Sequence, residues 1–310
     1  MSRMLAGDSV ETPKVSAVIV SYNTRDSLVA CVSSLEDEVS LPFEVLVVDN
    51  ASADQSAEAV ALFHPSVRVV KNALNRGFAV GCNQGLRMSR APYVLLINSD
   101  AVVRFGAVEA LVGVLDEQPG VALVGPRTLN ADGSVQLSFG PILTPWNEWR
   151  QRRLVGGIRR RDPGTLRRVE AQASREHEPD WLSGSCLLAR RAAVESVGLF
   201  DEGFFLYEED VDLCLHLREA GWRIVFTPRA EVVHLLGASM ERAPSRARIE
   251  YHRSHLRFYR KHNGPVLTGL LRAWMVASAC LAWVAARLPN DRPDARAAAL
   301  DQLRLGLRGR

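Results

Sequence analysis

Three stretches of this 310-residue chain put carboxylates where they can do chemistry. Leu95-Leu96-Ile97-Asn98-Ser99-Asp100 is an apolar run ending in a polar triplet, so Asp100 is expected at the exit of a buried strand. A hard divalent cation takes such an oxygen ligand and fills its other positions with water and phosphate oxygens. The commoner fate of a lone aspartate is to cap the next helix. Phe204-Phe205-Leu206-Tyr207-Glu208-Glu209-Asp210 sets three acids behind an aromatic run. Their mutual repulsion raises at least one pKa, which suits a general base. On a helix Glu209 and Asp210 point in different directions and can take different jobs. The competing structural role is a set of acids matched to a helix N-terminus. The third stretch, Val47-Val48-Asp49-Asn50, also ends an apolar run. A carboxylate there accepts the N3–H of a uracil or thymine ring, or simply makes a turn.

Two further signals are weaker singly. His234 follows the apolar pair Val232-Val233, where an imidazole ligates a metal or, more commonly, sits satisfied in a core. Asn75-Arg76-Gly77-Phe78-Ala79-Val80-Gly81 spaces glycines at the start of a helical pattern, where backbone N–H groups can approach an anion. Neither G-x-G-x-x-G nor a Walker A pattern occurs, which removes support from dinucleotide-binding dehydrogenases and P-loop kinases.

These residues need strand ends to hold them. Short β-branched runs over 15–21, 43–48, 67–70, 93–97 and 121–124 read as strands. Helical spacing over 28–35, 57–63, 77–88 and 108–115 alternates with them. That alternation predicts an α/β fold, a mostly parallel sheet with helices on both faces, whose ligands bind outside the carboxyl ends of the strands. A strand over 186–189, helices over 192–197 and 210–220 and a strand over 223–226 continue the pattern.

Between Pro141 and Pro179 the periodicity fails, and Arg150-Gln151-Arg152-Arg153 and Arg159-Arg160-Arg161 appear with Trp146 and Trp149. This stretch reads as an insertion or mobile loop beside the site. From Arg246 the pattern is helical, with Ile249, His252, Leu256 and Tyr259 on one face. Pro265 then opens an apolar segment, 266–288, which holds Trp274 and Trp283 and is interrupted by Arg272. Its length just spans a bilayer, while the internal charge suits a helix lying in the membrane plane or packed on the protein. Residues 242–310 carry 14 Lys/Arg against 4 Asp/Glu, and residues 1–241 carry 24 against 31. An acidic body with a basic tail suits an anionic partner. The expected organisation is an N-terminal tail (1–14), a body (15–241) with a basic insertion (141–179) and a basic, membrane-associating tail (242–310). At 47% hydrophobic and 24% charged residues, the chain lies far from the disordered class. Its five widely spaced cysteines suggest neither a zinc site nor a disulfide framework and fit small buried residues in a reducing compartment. Residues 1–12 lack the apolar stretch that would mark secretion.

Taken in order, Val20-Ser21-Tyr22-Asn23, Val47-Val48-Asp49-Asn50-Ala51-Ser52, Asn75-Arg76-Gly77-Phe78-Ala79, Asn98-Ser99-Asp100, Gly184-Ser185-Cys186 and Glu208-Glu209-Asp210-Val211-Asp212-Leu213 resemble the inverting family-2 glycosyltransferases of GT-A fold. The flavour is that of the bacterial rhamnosyltransferase-like branch that builds cell-surface polysaccharides. The resemblance implies that Tyr22 lies near the nucleotide base, that Asp49 hydrogen-bonds it, and that Arg76-Gly77 borders the nucleotide. Asn98-Ser99-Asp100 stands where the family has its D-x-D motif, so Asp100 would ligate Mg²⁺ or Mn²⁺ bridging the diphosphate, with His234 completing the site. Asn98 replaces the usual first aspartate, which weakens metal binding. Asp210 would be the general base that deprotonates the acceptor hydroxyl, with Glu208 and Glu209 beside it at the substrate. The implied donor is dTDP-rhamnose, ahead of UDP-GlcNAc, UDP-galactose or UDP-galactofuranose. The implied acceptor is a polysaccharide or polyprenyl-diphosphate-linked glycan at the inner face of the cytoplasmic membrane. The protein would then be cytoplasmic and held peripherally on that anionic surface.

Other functions fit less well. A nucleotidyltransferase wants a Gly-rich, Arg/Lys-bearing loop after the first strand, and Ser21-Tyr22-Asn23-Thr24 is not one. A non-enzymatic nucleotide-sugar or glycan-binding module has no need of Asp100, Asp210 and His234 together. Nucleic acid is not an expected partner, because the basic residues accompany an apolar tail while the body is acidic.

Overall fold

The computed structural model describes residues 12–235, 244–285 and 293–308. The N-terminal tail up to residue 11, the body–tail boundary expected at 241–242 and Arg287-Leu288 lie outside the described residues. The apolar runs form β1 (Val15–Ser21), β2 (Phe43–Asp49), β3 (Arg68–Lys71) and β4 (Tyr93–Asn98). Between them lie α1 (Arg25–Glu38), α2 (Ser56–Phe63) and α3 (Phe78–Met88). Leu28, Cys31, Val32 and Leu35 are the buried face of α1, as their spacing requires. On α3, a methyl group at Gly85 would lie 2.2 Å from a Val18 methyl, and one at Gly81 would lie 2.8 Å from Val20. These two glycines let the helix backbone rest directly on β1.

The second half adds β5 (Ala101–Val103), α4 (Ala107–Glu117), β6 (Val121–Leu129) and β7 (Val135–Gln136). Then come β8 (Phe139–Gly140), α5 (Pro145–Arg159), α6 (Pro163–Ala173), β9 (Trp181–Leu182), β10 (Cys186–Arg190), α7 (Arg191–Ser196), α8 (Glu209–Glu219) and β11 (Arg223–His234). The main sheet runs β3-β2-β1-β4-β10-β6-β11-β5, with β7 on β6, while β8 and β9 form a separate ribbon. β1, β2, β3, β4, β6 and β11 point one way; β5, β7 and β10 run against them. Ser21 pairs with Asp49, and Val20 with Asn98, so the carboxyl ends of β1, β2 and β4 line up along one edge. Because β10 is antiparallel to β4, pairing Cys186 with Ile97, its beginning comes to the same edge and delivers Ser183–Ser185 there. β11 ends at His234 opposite Ala101 of β5.

The insertion is not an irregular loop. It contains two helices, each opened by a side-chain cap followed by proline. Thr144 Oγ1 accepts the Asn147 N–H, and Asp162 Oδ2 accepts the Thr165 N–H at 2.7 Å. Between them the chain reverses at Arg161, whose φ is 53°.

The C-terminal region forms α9 (Pro244–His262), α10 (Gly264–Ala285) and α11 (Pro293–Arg308). α9 shares a core with the body: Phe204, Val211, Leu256, Phe258, Tyr259, Leu271, Met275 and Leu305 pack together. It is also clamped electrostatically. Buried Asp212 accepts from Lys261 Nζ (2.9 Å) and His262 Nε2 (2.7 Å), and Asp201 accepts from Arg257 and Lys261. These donors hold Asp201, against the cost of its partial burial, down at about 2. Arg272, the charge inside the apolar segment, donates to the carbonyls of Gly306 (2.9 Å) and Leu307 (2.6 Å) and so satisfies the end of α11. Gly264–Val284 is long and apolar enough to span a bilayer, and only 22% of its apolar window is buried. Its open face carries Val266, Leu270, Trp274, Leu281 and Val284 without a charged side chain. Cys280 lies on this face and is exposed, unlike the other four cysteines, which are buried thiols as expected.

Candidate active site

At the carboxyl edge of the sheet is a cleft of about 380 Å³. Tyr22, Gly77, Asn98, Asp100, Glu208, Glu209, Asp210 and His234 all line it. Asp49 is buried one residue behind Asn50, which lines the cleft in its place; Arg76 is exposed and not part of the lining.

The strand exits are tied together by short polar side chains. Ser21 Oγ meets Thr24 Oγ1 at 3.0 Å, and Thr24 Oγ1 donates to Ser99 Oγ at 2.8 Å, which joins the end of β1 to the end of β4. Asn50 donates to the Gly77 carbonyl (3.0 Å) and accepts from Asn72 (2.8 Å). Asp49 Oδ2 accepts the Ser52 N–H at 3.0 Å, whereas its buried Oδ1 has no partner among the described residues. A buried acceptor left unpaired costs about 1–3 kcal/mol, and this oxygen lies behind Asn50 rather than in the cleft lining.

The glycine-spaced segment serves packing more than anion binding. Gly77 takes φ +91°, and a methyl there would lie 2.5 Å from the Phe205 carbonyl. The Phe78 N–H donates to that same carbonyl at 2.7 Å. The first turn of α3 therefore fixes the aromatic loop that leads to the acids.

Asp100 and His234 meet at the far end of the sheet. His234 Nδ1 faces Gln136 Oε1 at 3.1 Å; its Nε2 faces Asp100 Oδ1 at 3.1 Å and Asn98 Nδ2 at 3.3 Å. If Nδ1–H donates to Gln136, the Nε2 lone pair points at a carboxylate oxygen. A proton or a cation between two acceptors so placed relieves their repulsion. An orienting partner on the other ring nitrogen is the usual support of a metal-ligating histidine. The residues present therefore fit a divalent cation, with Asn98 as a neutral neighbour.

The acids sit on a turn held under constraint. Tyr207 and Glu208 both take left-handed φ values, 72° and 64°, a conformation that costs non-glycine residues about 1–2 kcal/mol each. The turn is tied down from several sides: Ser254 Oγ donates to the Leu206 carbonyl (2.7 Å), and His255 Nδ1 contacts Glu208 Oε1 (2.7 Å). Asp210 Oδ2 accepts the Gly184 N–H at 2.7 Å and its Oδ1 accepts the Val211 N–H at 2.8 Å. Burial raises the Asp210 carboxyl above the usual aspartate range, with those two N–H groups pulling it back. Burial and the Asp210 charge push Glu209 well up. Burial raises Glu208, opposed by His255. Asp210 is thus the one acid of the three that is only half-buried, has both oxygens oriented by backbone donors and is a stronger base than a free aspartate.

Three residues on the acid side were not visible as site residues in the sequence. His255 lies between Glu208 and Glu148, with Nε2 at 3.3 Å from Glu148 Oε2, and Tyr259 OH donates to Glu148. They stand 47 and 111 positions from their partners, so no local pattern marks them.

A curled, mostly parallel sheet with a carboxylate–histidine pair and an acid-bearing helix at its carboxyl edge defines a GT-A glycosyltransferase. Comparison with known proteins agrees. The family model for glycosyl transferase family 2 matches residues 16–197, and the chain belongs to that family. It is 32% identical over 268 residues to the N-acetylglucosaminyl-diphospho-decaprenol L-rhamnosyltransferase of Mycobacterium tuberculosis, covering 82% of this chain and 86% of that one. It is 23% identical to the low-salt glycan biosynthesis hexosyltransferase Agl10 of Haloferax volcanii, covering 71% and 66%. Among solved structures, the mannosyltransferase PcManGT from Pyrobaculum calidifontis, in complex with GDP-Man and Mn²⁺, superposes with a TM-score of 0.58. It is 19% identical, with 99% of this chain and 90% of that one covered. GalNAc-T7 with UDP, GalNAc and Mn²⁺ gives a TM-score of 0.54 at 14% identity, covering 86% and 58%.

Proposed function

We propose that this glycosyltransferase moves L-rhamnose from dTDP-rhamnose, with inversion, onto a hydroxyl of a polyprenyl-diphosphate-linked glycan at the inner face of the cytoplasmic membrane. The observation that carries the reading is the convergence of Asp100, His234 and Asp210 on one cleft. The name of the Mycobacterium tuberculosis relative supports the sugar and the lipid-linked acceptor.

In this reading Tyr22 and Asp49 receive the base. Asp100 and His234 hold Mg²⁺ or Mn²⁺, and Asn98, Glu208 and Glu209 border the substrates. When bound, the ion supplies positive charge against the negative charge that grows on the departing diphosphate. Asp210 takes the proton of the acceptor hydroxyl as that oxygen attacks the anomeric carbon from the face opposite the leaving group. The backbone donors on Asp210 aim its carboxylate and oppose the upward push of burial. The open apolar face of α10, with Arg152 of α5 over Trp274, lies against the membrane.

A donor panel tests this. Thermal unfolding is followed with dTDP-rhamnose, UDP-GlcNAc, UDP-galactose and GDP-mannose, each with and without Mn²⁺. Ligand at about 100 times its dissociation constant stabilises the fold by about 2.7 kcal/mol. A metal-dependent rise with dTDP-rhamnose alone is expected. A rise with a UDP-sugar instead replaces the donor and leaves the mechanism intact.

A further inference from the structure

A second cleft, of about 920 Å³, opens between α5, α6 and the β8–β9 ribbon. Leu137 lines it, while the preceding residue, Gln136, lines the site described above, so the two clefts share one stretch of backbone as a wall. A methyl at Gly157 would lie 2.4 Å from Thr165 Oγ1; this glycine lets α5 and α6 close on each other at the bottom of the cleft.

Arg150, Arg153, Arg160 and Arg168 all face into it. None of these guanidinium groups has a carboxylate within ion-pair distance among the described residues. The acids in the same lining are already engaged. Asp162 caps α6, Glu178 pairs with Arg223 at 2.6 Å, and Asp180 pairs with Arg218 at 2.6 Å. The Arg153 guanidinium stacks 4.9 Å from the Trp149 ring, and Trp149 stacks on exposed Trp146. Arg152 of the same helix lies 4.7 Å over Trp274 of α10, so the cleft adjoins the open apolar helix. The lining is a concave surface in which arginines outnumber carboxylates, with Asp162 in Coulombic reach of Arg160 alone of the four, beside the catalytic cleft on one side and an apolar surface on the other.

We infer that this α5–α6 cleft binds the diphosphate of the lipid-linked acceptor, an inference that rests on the acceptor class proposed above. Four planar guanidinium groups suit a diphosphate, whose oxygens accept paired N–H donors. The glycan end then reaches across the Gln136–Leu137 wall toward Asp210, and the lipid runs out past Trp146 and Trp149 toward α10. Membrane headgroups offer related phosphate chemistry, but a single headgroup at a flat surface has no need of a concave cleft abutting the catalytic one.

The test uses the full chain and the double substitution Arg150→Gln/Arg168→Gln. Both side chains are exposed and make no ion pair, so the fold should not depend on them. Inorganic pyrophosphate binding is measured by calorimetry in EDTA, which keeps metal out of the Asp100–His234 site. Cosedimentation with phosphatidylglycerol vesicles and the donor's thermal shift are followed alongside. Pyrophosphate binding should weaken roughly tenfold or more, with vesicle and donor binding unchanged. With transfer assays, KM for a diphosphate-linked acceptor should rise by a similar factor, and KM for an alkyl glycoside lacking the diphosphate should not. Unchanged pyrophosphate binding would overturn the inference, as would a loss confined to vesicle binding, which would assign the arginines to headgroups. If no acceptor takes sugar from either protein, the proposed reaction fails; the pyrophosphate arm still decides whether the cleft is an anion site.

Discussion

His255 Nδ1 lies 2.7 Å from Glu208 Oε1, and that contact joins α9 to the left-handed turn that presents Asp210. The ring is buried, with Glu148 of α5 on its other nitrogen, so one imidazole ties the C-terminal region and the insertion to the acid cluster. Removing it leaves buried carboxylates without their cation, a change that typically costs about 3–5 kcal/mol. His255→Ala should therefore lower stability to urea by that order. Its transfer rate should fall further than donor affinity, because the turn carrying Asp210 loosens while the Asp49 and Asp100 ends of the cleft are untouched. Denaturant titration beside donor calorimetry and initial rates checks this.

The same ring sets a pH dependence. Despite burial, which opposes it, Glu148 and Glu208 hold His255 up at about 9, against an unperturbed value near 6.5. A raised folded pKa contributes stability that is fully present below about 6.5 and is lost as pH rises through about 9. The groups around the ring are Glu148 and Arg152 of α5, Glu208, and Tyr251, His252 and Tyr259 of α9. Burial drives the two tyrosines upward and pushes His252 down to about 4, so none of these three titrates in the same window. Melting temperature should decline between pH 7.5 and 9.5, and His255→Gln should flatten that decline.

Gly77 carries a different constraint. Gly77→Ala places a methyl 2.5 Å from the Phe205 carbonyl at a φ of +91°. The aromatic loop must shift, and the combined strain is expected to cost about 1–3 kcal/mol. Turnover should drop more than the loss of folded protein explains, which single-turnover rates normalised to folded fraction will show.

Leu270 and Leu281, 60% and 73% exposed, are the largest aliphatic side chains on the open face of α10. Leu270→Ser and Leu281→Ser should each weaken partition onto anionic vesicles by about 1.5–3 kcal/mol while leaving transfer to a water-soluble acceptor unchanged. Vesicle cosedimentation measures the first and a soluble-acceptor assay the second. Undiminished vesicle binding by the double variant would remove α10 from the membrane surface.

How much of this was legible in the sequence depended on how local the cause was. β1, β2 and β4 announce themselves as β-branched runs, and the residues just past their ends, Tyr22, Asn50 and Asp100, reach the cleft as the switch-edge rule requires. α5 is arginine-rich and weakly amphipathic, which hides it, whereas the short α6 carries only Leu166, Val169 and Ala173 at helical spacing among polar residues; Thr144-Pro145 and Asp162-Pro163 are the helix-start signals of both. The antiparallel insertion of β10 between β4 and β6 cannot be read from a run of four apolar residues, Cys186–Ala189, and neither can the part its leading loop plays in holding Asp210 through Gly184. The Glu148–His255–Glu208 bridge spans three distant elements and exists only once they pack. The glycine run at 77–85 was legible as a helix start but misleading in purpose, since its glycines serve contact with Val18, Val20 and Phe205.

The central claim is that Asp210 is the base. Asp210→Asn preserves shape and keeps one oxygen for the Gly184 N–H; it removes the ability to take a proton at the cost of the bond from the Val211 N–H, which its amide nitrogen cannot accept. Transfer to acceptor should fall by about 10²–10⁴-fold while the metal-dependent thermal shift with donor stays as in the parent protein. A variant that transfers sugar at close to the parent rate would contradict the assignment and with it the mechanism.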